Sequence, residues 1–143
     1  MKVPLQVRDF AGGLRIMTQF LIQADKPHLF GFIESIVDTG SPTTILGIPD
    51  IKRMRVSQLQ LKDLESKKEP LAYGGGKLNT KILRDVRLKF GDYFECKMDI
   101  QIPVDEITEC TQPTILGVDF IEKNKFRLVF DPAKKEAYFE SSE

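Results

Sequence analysis

The sequence predicts one all-β domain over residues 1–143, a barrel or sandwich with one or two short helices. Three observations carry that expectation. Apolar and polar residues alternate with a period of two in stretch after stretch. Turn residues separate these stretches at short, regular intervals. Only two short segments have helical character, and neither an internal repeat nor a low-complexity linker divides the chain.

Val3, Leu5 and Val7 alternate with Pro4, Gln6 and Arg8, which predicts a first strand closed by the Gly12-Gly13 turn. Leu14, Ile16 and residues 19–22 make a second, residues 24–27 a loop, and the apolar run 29–37 a third that ends at Asp38. The three read as an antiparallel meander. Residues 43–46 are β-branched and apolar and predict a short strand. Pro49 suits the first turn of a short helix over 49–55. Residues 56–68 fit neither period, and 66–69 read as an exposed loop.

Residues 71–73, the Gly74-Gly75-Gly76 run and residues 77–83 read as a hairpin with a glycine tip. Val86, Leu88 and Phe90 form a strand with one wet face, then Gly91-Asp92 turns the chain. Residues 94–102 alternate again until Pro103, and 104–113 form a connecting loop. Residues 114–116 predict a short buried strand, and 118–125 a helix with Phe120 and Ile121 facing inward. Phe126, Leu128 and Phe130 alternate, Asp131-Pro132 starts a turn, and residues 137–139 close the fold.

Bulk properties narrow the function. The 21 basic and 21 acidic residues cancel, so nothing favours nucleic acid or an anionic membrane as partner, and self-association is unopposed. No apolar run approaches the roughly 20 residues that cross a bilayer. Arg8 and Asp9 interrupt the only signal-peptide-like stretch, so a cytoplasmic location is expected. Two cysteines, Cys96 and Cys110, are too few for a disulfide scaffold; reduced thiols are the simpler reading, with a single bridge left open. His28 has no second metal ligand at a useful spacing, so no metal or cofactor is expected.

The chemistry concentrates in Ile36-Val37-Asp38-Thr39-Gly40-Ser41. A carboxylate at the end of an apolar strand is costly unless it is solvated, paired or used. Gly40 permits a sharp turn and close approach of another chain, while the hydroxyls of Thr39 and Ser41 can orient a carboxylate and a water. Alone, Asp-Thr-Gly is an ordinary turn sequence, the glycine run an ordinary loop and Tyr73 an ordinary strand residue. The glycine run also lacks the spacing of a phosphate cradle. The pairs Lys67-Lys68 and Lys134-Lys135 read as solvated loop charges.

Taken in order, the segments resemble the retropepsin-like aspartic peptidases. Asp38-Thr39-Gly40-Ser41 is similar to that family's active-site loop. Ile115-Leu116-Gly117, with the helix that follows, is similar to its second signature. Tyr73-Gly74-Gly75-Gly76 resembles the flap of pepsin more than that of retroviral members. The likeness covers residues 30–139 and implies a closed barrel with a flap hairpin and a short C-terminal helix. It implies that Asp38 is the catalytic carboxylate, that Thr39 bonds its symmetry mate, and that Gly40 offers its carbonyl to substrate. It further implies that Ser41 bonds the outer oxygen of Asp38 and that Tyr73, Gly74, Gly75 and Gly76 close over the peptide. Ile115 and Gly117 would pack under the loop, with Ile115 near a side-chain pocket. With one such loop per chain, the expected enzyme is a homodimeric aspartic endopeptidase acting on peptide or protein substrates. Its interface would be drawn from residues 3–7 and 126–139. The second reading is a non-catalytic peptide-binding or assembly module on the same fold. One departure stands out. Retroviral members pair an Asp two residues after the loop glycine with an Arg after the second-signature glycine. This chain has Pro42 and Val118 there, so both halves of the pair are gone together.

Overall fold

The computed structural model describes residues 1–10, 12–66, 71–73, 76–104 and 112–141, with 71–73 and 76–78 described by backbone alone. The strands are β1 Lys2–Phe10, β2 Gly13–Asp25, β3 His28–Val37, β4 Glu65–Ser66, β5 Leu71–Tyr73, β6 Gly76–Leu78, β7 Thr80–Phe90, β8 Phe94–Pro103, β9 Thr114–Leu116, β10 Phe126–Asp131 and β11 Glu136–Ser141. The helices are α1 Ile48–Arg53, α2 Gln58–Leu61 and α3 Val118–Lys123.

The predicted meander is present: β1 pairs β2, and β2 pairs β3, both antiparallel. Period-two patterning explains its register, because Ile16, Phe20, Ile22, Leu29, Ile33 and Val37 are all buried. β2 runs further than expected, with Ala24 opposite Leu29 and Asp25 opposite His28, which leaves Lys26-Pro27 as the two-residue turn. β7 and β8 form a second long hairpin with a register shift between Leu83 and Val86, and β7 also pairs β2. Such a bulge lets one long strand serve two neighbours as it bends. Residues 80–83 therefore belong to this hairpin. The glycine-tipped hairpin is shorter than expected, a separate two-stranded sheet of β5 and β6.

The main sheet follows the order β10-β11-β1-β2-β3-β9, with β7 attached to β2 and β8 to β7. Its ladder is not closed. Residues 43–46, expected as a strand, instead span the gap between β8 and β9 through two single-residue bridges of Ile45, to Gln101 and to Ile115. The reason is local. Ile45 exchanges both backbone bonds with Ile115, while Thr44 O and Leu46 N serve Gln101, so the segment divides its hydrogen bonds between two neighbours.

One aromatic cluster ties the C-terminal third to the hairpins. Phe120 on α3 lies 5.2 Å from Phe90 and 5.4 Å from Phe139, and Phe126 stacks on Phe139 at 5.5 Å. Phe120 and Phe139 are fully buried, so α3 is anchored by burial although it has only 6 residues. Cys96 is half-buried, a free thiol that burial pushes up in pKa. Cys110 lies outside the described residues. Among the described residues, no helix is long and apolar enough to cross a membrane.

Candidate active site

Asp38 sits where β3 runs out. β3 and β9 are parallel, with Ile36 opposite Ile115 and Val37 opposite Leu116, and the next rung is Asp38 N donating to Leu116 O at 3.0 Å. The chain then turns, with Ser41 N donating to Asp38 O at 3.1 Å. Inside the turn, Gly40 N donates to Asp38 Oδ1 at 2.8 Å, so the loop's own backbone orients the carboxylate. Asp38 is half-buried, whereas Thr39 and Gly40 are exposed. Thr39 has the exposure that contact with a second chain requires. Ser41 departs from expectation. Its hydroxyl donates to Thr43 O at 2.7 Å rather than to Asp38, because that carbonyl is the acceptor two residues on in the same turn.

Beneath the turn lies Gly117. A β-carbon there would stand 2.4 Å from Thr43 O and 2.8 Å from Ser41 O, so only glycine lets the β9–α3 junction approach the loop. Val118 N donates to Ser41 O at 2.9 Å and Asp119 N to Pro42 O at 3.2 Å. Backbone bonds thus join the two places where a charged pair was missing.

A side-chain clasp reinforces them. Thr44, 1% exposed, donates from Oγ1 to Asp119 Oδ1 at 2.7 Å and accepts from Gly117 N at 3.0 Å. Thr44 N donates to Asp119 Oδ2 at 3.0 Å. A second buried brace runs from Gly47 N to Thr114 Oγ1, from there to Asp50 Oδ2, and from Asp50 to Arg53, which also caps Phe32 O. Sequence reading passed over Thr44, Asp119, Thr114 and Asp50. The available signals were acidic residues in the first turns of α1 and α3.

Asp38 and Thr39 open onto a cleft of about 690 Å³. Its apolar walls include Phe10, Leu14, Leu128 and Phe130, and Arg15 lines it too. Ile115 is buried beneath, and the wall at that end comes from Ile36, Gln112 and Pro113. Tyr73 pairs with Gly76 across the β5–β6 hairpin, while Gly74 and Gly75 lie outside the described residues. Each chain therefore offers one oriented carboxylate and one exposed hydroxyl in the lining of this cleft.

No family model and no curated protein matches the sequence. Solved structures do resemble it. A retropepsin-like aspartic protease from Rickettsia conorii is similar with a TM-score of 0.60 at 17% identity, over 99% of this chain and 91% of that one. EIAV protease in complex with the inhibitor HBY-793 gives 0.51 at 19% identity, over 86% and 100%. The retroviral protease-like domain of Ddi1 from Leishmania major gives 0.50 at 11% identity, over 87% and 94%. With the single Asp-Thr-Gly loop braced from below by Gly117, these likenesses identify the fold of this chain as that of the retropepsin-like aspartic proteases.

Proposed function

We propose that the chain is a homodimeric aspartic endopeptidase in which Asp38 of each copy supplies half of the catalytic pair. The observation that carries this is Asp38 itself: one carboxylate, held by Gly40 N at 2.8 Å, lining a cleft of about 690 Å³. Two such carboxylates within hydrogen-bond distance share one proton, since both cannot ionise side by side. The ionised member takes a proton from a bound water as that water attacks the peptide carbonyl. The protonated member donates to the leaving nitrogen. Thr39 bonds its mate across the two-fold axis, the β5–β6 hairpin with Tyr73, Gly74, Gly75 and Gly76 covers the substrate, and Gly40 and Ser41 flank it.

The topology supports the route to a dimer. β11 lies between β10 and β1, whereas β10 pairs with β11 alone among the described residues. The free edge of β10 borders the cleft through Leu128 and Phe130. A two-fold axis there makes the contact self-complementary and brings the two Asp38 loops toward each other. Cleavage of a mixed peptide library by wild type, its loss in Asp38→Asn with unchanged circular dichroism, and inhibition by a statine-type mimic make up the test. Cleavage that survives in Asp38→Asn rules the mechanism out. Peptide binding without cleavage by a monomer would instead favour the non-catalytic module.

A further inference from the structure

We infer that Arg15 makes this cleft select substrates carrying an acidic side chain close to the bond that is cut, an inference that rests on the peptidase reading. Of the seven arginines, Arg8, Arg53, Arg84, Arg87 and Arg127 each meet a carboxylate, while Arg15 and Arg55 meet none among the described residues, and of these two only Arg15 lines the cleft. The Arg15 guanidinium has no hydrogen bond or ion pair among the described residues, although it lines the cleft beside Asp38. Met17 opposite Ile36 is the last pair of the β2–β3 ladder, and Arg15 follows two residues beyond Met17 on β2 as Asp38 follows two beyond Ile36, so both lie at the same end of that ladder.

Two further facts make the charge unusual. Arg15 lies directly across from Arg8, a like-charge pairing that destabilises a sheet unless each charge is met. Arg8 is met by Glu34, but Arg15 by no carboxylate among the described residues. Moreover, Arg15 and Asp38 are the only charged residues lining the cleft among the described residues. In the proposed dimer, two guanidiniums face a carboxylate pair that shares a proton and carries one negative charge. The site keeps an excess of positive charge in a cleft of mixed polar and apolar lining, where a Glu or Asp side chain forms a charge-assisted, bidentate bond with a guanidinium.

The experiment uses matched peptides that differ only by Glu or Gln at each position flanking the scissile bond. At one position wild type should cut the Glu peptide about tenfold more efficiently in kcat/KM. That ratio should fall to about one in Arg15→Gln, and Arg15→Glu should prefer the matched Lys peptide. Equal cutting of Glu and Gln peptides at every position, or a Glu preference that persists in Arg15→Gln, overturns the inference. So does dissociation of Arg15→Gln to monomers in sedimentation while wild type stays dimeric, since the charge then serves assembly. Fluorescence anisotropy with the same peptides separates the two readings. If wild type cuts nothing but binds Glu over Gln, and Arg15→Gln does not discriminate, the selectivity stands and the peptidase reading falls.

Discussion

Gly117→Ala tests whether the β9–α3 junction holds the Asp38 loop. Gly117 has φ −95°, an ordinary extended backbone, so alanine costs nothing conformationally and the whole effect comes from contact. The new methyl would stand 2.4 Å from Thr43 O, 2.6 Å from Thr43 C and 2.8 Å from Ser41 O. All three are backbone atoms that cannot swing aside as a side-chain tip would. They are also tethered, because Ser41 O accepts from Val118 N at 2.9 Å and Gly117 N donates to Thr44 Oγ1 at 3.0 Å. Overpacking costs about 1–3 kcal/mol, and three fixed partners put this case near about 3 kcal/mol. For a domain of this size that lowers Tm by roughly 6–12 °C. The relief must come from the 41–43 segment, so the Asp38 loop shifts as well. On the proposed peptidase function, a displacement on the order of 1 Å should lower kcat about a hundredfold in the fraction that remains folded. Thermal unfolding followed by circular dichroism and peptide cleavage below the transition read the two effects separately. Gly13→Ala is the control, since nothing lies within 4 Å of the place its new methyl would take. A Gly117→Ala protein that melts within about 1 °C of wild type refutes the reasoning.

Thr44→Val strips two hydrogen bonds from a buried site and leaves Gly117 N and a carboxylate oxygen of Asp119 short of partners, so urea unfolding should show a loss of about 2–4 kcal/mol. Phe120→Ala removes the centre of the aromatic cluster and should cost about 3–5 kcal/mol by the same measurement. Glu34 is held below its ordinary pKa of 4.5, first by the hydrogen bond from Arg8 and then by that from Gln19. A depressed carboxylate stabilises the fold above its unfolded pKa and loses that contribution as pH falls through the folded one. Stability of wild type should therefore drop faster than that of Glu34→Gln below about pH 4.5, by less than about 1 kcal/mol because the pair is some 40% exposed. Equal acid melting curves would remove Glu34 from the account. Cys96, with its pKa raised by burial, should react with iodoacetamide at pH 8 more slowly than a free cysteine, as read by peptide mapping.

The parts of the fold written in period-two patterning were legible, because burial of one face fixes both the strand and its register. β1 to β3 and most of β8 follow that pattern, whereas in β10 Phe126 is buried but Phe130, in phase with it, is exposed. The start of α2 was also written in the chain: Ser57 and Gln60 form a capping box, a local signal obscured by the irregular leucines around it. Residues 43–46 look like a strand because they are β-branched, but their hydrogen bonds depend on β8 and β9, which lie far away in sequence. The bulge between Leu83 and Val86, which makes β7 a single strand, carries no local mark either. At the site, Asp38 and Gly117 were found by the likeness of their segments to the two signatures of the retropepsin-like family. Thr44 and Asp119 were not, because each takes its meaning from the other, far along the chain, and Arg15 was not, because only the fold sets it in the cleft.

The absence of the expected charged pair then has a physical account. An Asp–Arg pair across this junction fixes two loops only if both charges are present, and either one alone would be a buried or half-buried orphan. Here Pro42 and Val118 leave their backbone groups to make the connection, through Pro42 O with Asp119 N and Ser41 O with Val118 N. The side-chain clasp moves further along the chain on both sides of the junction, to Thr44 and Asp119. Its single carboxylate is met by Thr44 Oγ1, Thr44 N and Phe120 N, three donors gathered around the first turn of α3. No cation is needed in the junction. The cleft's positive charge lies elsewhere, on Arg15, which lines it with Asp38 and meets no carboxylate among the described residues.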